Sequence, residues 1–310
     1  MAEVAIIGAG LIGRAWAIVF ARAGWSVQVT DVDAATLAEV PALVRAGMDE
    51  LHRHGLLDDV DTAMAKITTC PNVASAVRNA DLVQENGPER EDVKASIFAE
   101  LDRHAPPTAI LASSSSAIVS SRFTHALAGR GRCLIAHPVN PPHLVPVVEL
   151  CGSPWTSPEV LERAKAIYEE IGQIPVVVNR ELEGFVLNRL QGALLAEAFR
   201  LVGEGVISPA DLDKTVKDGL GLRWSFMGPF ETIDLNAPGG IDDYCRRYTD
   251  FYRRLSEDAA EPSVWDRPNV DRILGAWGAA SNSASRRERS NWRDARLAAL
   301  QAHKHSLGGV

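Results

Sequence analysis

The sequence predicts an α/β chain: an N-terminal domain on a mostly parallel sheet, followed by an all-helical C-terminal domain. Three observations predict it. A β-branched run, Val4-Ala5-Ile6-Ile7, ends in the spaced glycines Gly8, Gly10 and Gly13 and leads into a helical pattern. Short apolar strand candidates then alternate with helical stretches as far as Val178, which is the pattern of a parallel sheet with helices on both faces. From Glu183 onward the pattern is helical, with almost no strand signal. The domains are placed at 1–181 and 182–310, with the boundary near Asn179 to Leu182.

The glycine stretch is the first element. Its spacing, G-x-G-x-x-G, sits between a strand and a helix whose Trp16, Val19, Phe20 and Ala23 share one face. The first glycine permits a tight turn, the second lets backbone approach a pyrophosphate, and the third lets helix and strand pack closely. The helix N-terminus adds free N–H groups and partial positive charge. Gly8, Gly10, Leu11, Ile12 and Gly13 are therefore candidate cofactor-binding residues of a Rossmann-type domain. The next strand, Ser26 to Thr30, ends at Asp31, 18 residues past Gly13. That is close to the offset of the carboxylate that binds a ribose 2′-hydroxyl, and a carboxylate repels a 2′-phosphate, so NAD is preferred to NADP.

The following elements are read from periodicity. Ala34 to His54 is a long helix whose start Pro41 should disturb. Lys66 to Thr69 and Asp81 to Glu85 are strands, and Glu91 to His104 is a helix stopped by Pro106-Pro107. Thr108 to Ala112, Arg132 to His137, Val145 to Leu150 and Ile174 to Val178 are strands, with a helix from Pro158 to Ile171. Beyond them come helices at Gly184 to Gly203, from Ser208-Pro209, and at Ile241 to Leu255, Val264 to Ala276 and Ala284 to His303. The polar stretch Ser281 to Ser290 is a candidate loop.

Bulk properties narrow the function. With 310 residues, 46% hydrophobic and 23% charged, the chain has the make-up of an ordinary globular protein of about two domains. A net charge of −8 argues against a nucleic-acid partner. No apolar run approaches a membrane span of about 20 residues, and the N-terminus carries no basic region with a cleavage site. Cys70, Cys133, Cys151 and Cys245 form no C-x-x-C pair and no metal-ligand spacing. Free thiols in a reducing compartment, the cytoplasm by default, and no metal are the expectation.

Oxidising an alcohol requires a group that takes the hydroxyl proton as hydride leaves the carbon. His137 ends a strand and opens His137-Pro138-Val139-Asn140-Pro141-Pro142, at the kind of strand end where open α/β sheets bind ligands. Glu149 lies in the apolar run Val145 to Leu150 and needs a partner if buried. An imidazole N–H would suit it, and a surface position on an edge strand is the other reading. Ser116 is one of four adjacent serines, and composition alone does not select it. Asn188 is either a satisfied core amide or a polar group aimed at a cleft.

Taken together, these residues resemble the 3-hydroxyacyl-CoA dehydrogenase family over nearly the whole chain. The likeness is carried by Ala112-Ser113-Ser114-Ser115-Ser116, His137-Pro138-Val139-Asn140-Pro141, Val148-Glu149 and Gly184-Phe185-Val186-Leu187-Asn188-Arg189. It implies that His137 is a general base oriented by Glu149, and that Ser116 and Asn188 hydrogen-bond the substrate oxygen. It also implies cofactor contacts at Asp31, Glu89, Lys94, Ser116 and Asn140, and a homodimer made through the helical domain. Within the family the chain is most similar to the lambda-crystallin branch, whose enzyme oxidises L-gulonate at its 3-hydroxyl. Phe185 to Gln191, Ser208 to Asp213 and Gly219 to Trp224 carry that further likeness. The acyl-CoA enzymes have Asn where this chain has Ser114, and they use lysines near the CoA phosphates where residues 47–66 are poor in them. The resemblance therefore points to a small hydroxy acid, with L-3-hydroxyacyl-CoA or L-carnitine as alternatives. Arg223, in the Arg-Trp-Ser-Phe element that L-carnitine dehydrogenases share, is a candidate for binding the substrate carboxylate through its bidentate fork; capping a helix C-terminus is its other reading. Lambda-crystallin is also a lens structural protein that binds nicotinamide cofactor, so a cofactor-binding protein without turnover is the alternative of a different class.

Overall fold

The computed structural model describes residues 2–278 and 283–308. Eight strands form one sheet: β1 Glu3–Ile7, β2 Ser26–Thr30, β3 Ile67–Thr69, β4 Leu82–Glu85, β5 Ile110–Ser113, β6 Cys133–Pro138, β7 Val147–Gly152 and β8 Ile174–Val178. Their order is β3-β2-β1-β4-β5-β6-β7-β8. All neighbouring pairs are parallel except β6 and β7, which are antiparallel. The chain runs outward from β1 to β3, returns to β4, and continues outward the other way. The β1/β4 junction is thus the point where strand order reverses, the place where such sheets bind ligands.

Burial on both faces makes β1 apolar from Val4 to Ile7, while β4 ends in the buried polar residues Gln84 and Glu85. Alternation then sorts their side chains. Val4 and Ile6 of β1 join one core with Trp16, Phe20 and Tyr168. Ala5 and Ile7 join the other, with Phe98, Leu101 and Phe185. The helix Leu11–Arg22 lies against the first core, with the Trp16 and Tyr168 ring centroids 5.6 Å apart.

The contacts divide the chain into two compact units. One runs to Asn188 and resumes at Glu288; the other lies between Arg189 and Arg287. This differs from the boundary read at 181/182. The segment after β8 is tied back to β7 through Glu149, and Leu297 and Ala298 of the helix Ser283–Ser306 pack on the first core. Of the candidate loop Ser281 to Ser290, the first two residues lie outside the described ones, and the rest opens that last helix.

Two further elements differ from their sequence reading. Pro41 does not interrupt the helix Ala34–Arg53, which is capped by Asp33 and anchored by fully buried Val40, Val44, Met48 and Leu51. The helix expected from Gly184 begins only at Leu187, because Gly184 and Phe185 hold positive φ angles of 76° and 49°. In the second unit, Ser208 caps the helix Pro209–Lys214 as its Ser-Pro signal predicts, accepting the Asp211 N–H at 3.1 Å. Among the described residues no helix is long and apolar enough to cross a membrane.

Candidate active site

The glycine turn meets each demand of a dinucleotide cradle. Gly8 has φ +93°, and a Cβ there would lie 2.9 Å from the Asn86 carbonyl oxygen. A Cβ on Gly13 would lie 1.9 Å from the Gly8 carbonyl oxygen, so the helix can pack here only without one. A Cβ on Gly10 would meet nothing within 4 Å, which leaves the backbone open to a ligand. The helix begins at Leu11 with no side-chain cap, so its first N–H groups, including those of Leu11 and Ile12, remain available to phosphate. Asp31 follows β2 and accepts the Ala9 N–H on Oδ2 at 2.6 Å, which holds its carboxylate beside the turn. These residues fit NAD, whose phosphates the Gly10 to Gly13 turn would hold and whose ribose hydroxyls Asp31 would accept.

The next strand ends build a loop. Glu89, just past β4, takes four donors on Oε1: the Ser115 hydroxyl and the N–H groups of Ser116 (3.1 Å), Ala117 (3.0 Å) and Ile118 (3.1 Å). Burial pushes this carboxyl up, but the Ser115 hydroxyl, the loop N–H groups and Lys94 outweigh it and hold it below the usual range. Lys94 lies behind the loop. Its side chain is 1% exposed, and its ammonium sits 3.0 Å from Glu85 Oε2 and 3.9 Å from Glu89. Ser113 donates to Glu85 Oε2 at 2.5 Å. Ser114 accepts from Trp16 Nε1 (3.0 Å) and Gln84 Nε2 (2.7 Å) and donates to Asn86 Oδ1 (2.8 Å). Three of the four serines are thereby accounted for: Ser113, Ser114 and Ser115 bind the scaffold, and Ser116 is the exposed one.

His137 and Glu149 meet because β7 is antiparallel to β6. They are direct partners in the register, the closest cross-strand relation a sheet offers. Glu149 Oε2 accepts from His137 Nδ1 at 2.8 Å, and both side chains are at most 5% exposed. In a neutral ring this contact places the proton on Nδ1 and leaves the Nε2 lone pair free to take one. The other oxygen, Oε1, accepts the N–H groups of Val186 (2.8 Å) and Leu187 (2.9 Å). Burial would raise the Glu149 carboxyl, but the His137 contact and these two N–H groups hold it below the usual range, and it stays ionised.

That second set of bonds caps the helix Leu187–Gly203 from another element, and so fixes Asn188. The Asn188 amide donates to the Ser116 carbonyl at 2.8 Å. One carboxylate therefore registers both His137 and the helix carrying Asn188, and Asn188 is tied to the serine loop. Asn140 is exposed in the turn after β6. That turn is pinned by Arg22, which donates to the His143 carbonyl at 2.9 Å.

Arg223 belongs to the second unit, in the last turn of the short helix Gly221–Trp224. It is exposed, and among the described residues it has no ion-pair partner. Gln84 and Glu85 of β4, Asn86 just after it and Trp16 of the helix Leu11–Arg22 hold the serine loop and carry no motif in the sequence. Nor does the sequence give a role to Phe185, whose ring lies 5.5 Å from the His137 imidazole with planes 36° apart.

Comparison with known proteins covers the whole chain. Residues 3–182 match the model of the 3-hydroxyacyl-CoA dehydrogenase NAD binding domain, and residues 184–274 match that of the same family's C-terminal domain. Lambda-crystallin of Oryctolagus cuniculus is 39% identical over 313 residues, covering 98% of this chain and 97% of that protein. L-carnitine dehydrogenase of a Pseudomonas species is 32% identical over 297 residues, covering 96% and 92%. Among solved structures, an NAD+-dependent dismutase, 5-formyl-3-hydroxy-2-methylpyridine 4-carboxylic acid 5-dehydrogenase, superposes with a TM-score of 0.86 at 27% identity, covering both chains fully.

Proposed function

The chain belongs to the 3-hydroxyacyl-CoA dehydrogenase family of NAD-dependent oxidoreductases, and within it we propose that this enzyme oxidises the 3-hydroxyl of a small hydroxy acid, L-gulonate first, with His137 as general base. The observation that carries the proposal is the buried pair of His137 Nδ1 and Glu149 Oε2 at 2.8 Å. It leaves Nε2 as the proton acceptor and gives the resulting imidazolium an ionised partner. Bound NAD supplies the hydride acceptor. Nε2 takes the hydroxyl proton, while the Ser116 hydroxyl and the Asn188 amide hold the substrate oxygen. Asn188 keeps one N–H for this after donating the other to the Ser116 carbonyl.

Support for a free carboxylate, in place of a CoA thioester, comes from the chain's chemistry. Residues 47–66 carry Asp49, Glu50, Asp58, Asp59 and Asp61 against only Arg53 and Lys66, a poor surface for CoA phosphates. The position where acyl-CoA enzymes carry Asn is Ser114, whose oxygen is already spent on three hydrogen bonds. The similarity to L-carnitine dehydrogenases favours a substrate with a free carboxylate, and Arg223 is the residue proposed to bind it. The proposal includes a reducing compartment, the cytoplasm, where Cys70, Cys133, Cys151 and Cys245 stay free thiols. It also includes a homodimer through the second unit, where Leu222, Phe226, Phe230 and Leu235 are each more than half exposed.

The test follows NADH absorbance with L-gulonate, L-carnitine, L-3-hydroxybutyrate and its CoA thioester. L-gulonate should give the highest kcat/KM, and His137→Gln should abolish turnover. A preference for the thioester would overturn the substrate, and an active His137→Gln would overturn the base. Arg223→Met should raise KM for the hydroxy-carboxylate about tenfold or more, the loss of a charge-assisted pair; an unchanged KM removes Arg223 from the site.

A further inference from the structure

Phe185 is fully buried, although it holds a backbone conformation that phenylalanine rarely adopts. A bulky residue at φ 49° is disfavoured unless its surroundings enforce it. Gly184 before it is also left-handed, at 76°. Together they turn the chain between β8 and the helix Leu187–Gly203. The turn aims two successive N–H groups, those of Val186 and Leu187, at Glu149 Oε1. The same residue lays its ring against the His137 imidazole, at 5.5 Å and 36°. A glycine would serve the turn better, so the cost of a side chain here has to be offset by what the ring does.

We propose that Phe185 is a positioning residue for proton transfer: its ring fixes the plane of the His137 imidazole and excludes water from it, and its left-handed backbone commits Glu149 Oε1 to the turn so that Oε2 is left for His137. The inference rests on His137 being the base. Among the described residues, the charged group bonded to the imidazole is Glu149, from β7. Cys151, two residues further along the same strand, is neutral because burial pushes it to about 12. Glu181, on the segment leading to Phe185, is spent on the Ser121 N–H at 2.8 Å. The serine loop, Ser113 to Ser116, brings no ionisable group. An imidazolium is favoured weakly by a tilted aromatic face and strongly by water. Exchanging the ring for water therefore makes the ring easier to protonate.

The test uses Phe185→Leu, which keeps apolar volume without a flat face, and Phe185→Gly, which keeps the backbone conformation and opens the space. Three readouts are taken: kcat against pH, KM for NAD, and the NMR titration of the His137 imidazole, which does not depend on turnover. Phe185→Leu should lower kcat about tenfold with KM for NAD unchanged. In Phe185→Gly the acid limb of the kcat profile and the NMR midpoint should both move up by about half a pH unit or more. If both variants lose rate while limb and midpoint stay at parental values, the ring is merely structural and the inference is overturned. Parental rate and parental profile in both variants overturn it as well. His137→Gln is the separate control: its activity would sink the general-base reading itself, whatever Phe185 does.

Discussion

Glu149 divides its two oxygens between an imidazole and a helix start, and a conservative change separates the two tasks. In Glu149→Gln the amide oxygen can still accept the Val186 and Leu187 N–H groups, so the helix stays capped. The amide N–H₂ then faces His137 Nδ1, which must become the acceptor. The ring proton moves to Nε2, and the atom that should take the substrate proton already holds one. We expect kcat to fall by about 10²- to 10⁴-fold, as an inverted tautomer does in other base-assisted enzymes, with NAD binding retained by fluorescence titration. A second residue-scale prediction concerns His143. Burial, then Arg22 and Arg293, push its imidazole down from 6.5 to about 4, and among the described residues its buried Nδ1 has no hydrogen-bond partner. The folded state thus refuses a proton that the unfolded chain accepts below pH 6.5. Stability is unaffected above that pH and falls as pH drops from 6.5 towards 4. Between pH 7 and pH 5 the parent should lose about 2 kcal/mol more than His143→Gln in denaturant unfolding. Equal losses would show that His143 titrates normally.

At the scale of elements, Pro41 is a local cost carried by tertiary burial. It sits on the exposed side of the helix Ala34–Arg53 and supplies no N–H for the Leu37 carbonyl. The four fully buried residues of that helix keep it continuous across the defect. Pro41→Ala should therefore stabilise the protein by about 1–3 kcal/mol, raising the melting midpoint by several degrees in calorimetry; a lowered midpoint would mean that the proline is preorganised here. The same helix shows what periodicity can read. Val40, Val44, Met48 and Leu51 announce the buried face, and proline only misleads about its start. The glycine spacing and Asp31 were legible for a similar reason, since their chemistry is local to one strand–turn–helix unit. The His137–Glu149 pair was not legible from spacing alone. Nothing in Val147 to Gly152 says that β7 runs against β6, yet that reversal is what sets the two residues opposite each other. The Gly184-Phe185 turn was hidden too, because an apolar run that opens on a glycine reads equally well as helix.

Across the whole molecule, the chain order misleads about which unit the last helix serves. A reader of the sequence gives residues 182–310 to one helical domain. The contacts return the helix from Glu288 onward to the first unit. There Ala298 is fully buried in the core that holds Trp16, Phe20 and Tyr168, and Leu297 packs beside it. Periodicity shows that a helix has an apolar face, but the partner of that face lies more than 100 residues away in sequence and leaves no local mark. If the helix is part of the cofactor-binding unit, a charge placed at Ala298 must be buried in that unit's core without a partner. Ala298→Asp should then cost about 3 kcal/mol or more and lower the melting midpoint of the NAD-protected transition. Trp292→Ala, at a position 64% exposed on the same helix, should leave it within about 0.5 kcal/mol. NAD added before melting should raise the midpoint of both proteins, since only the folded cradle binds it. An Ala298→Asp protein whose NAD-protected transition melts with the parent would detach the last helix from the first core.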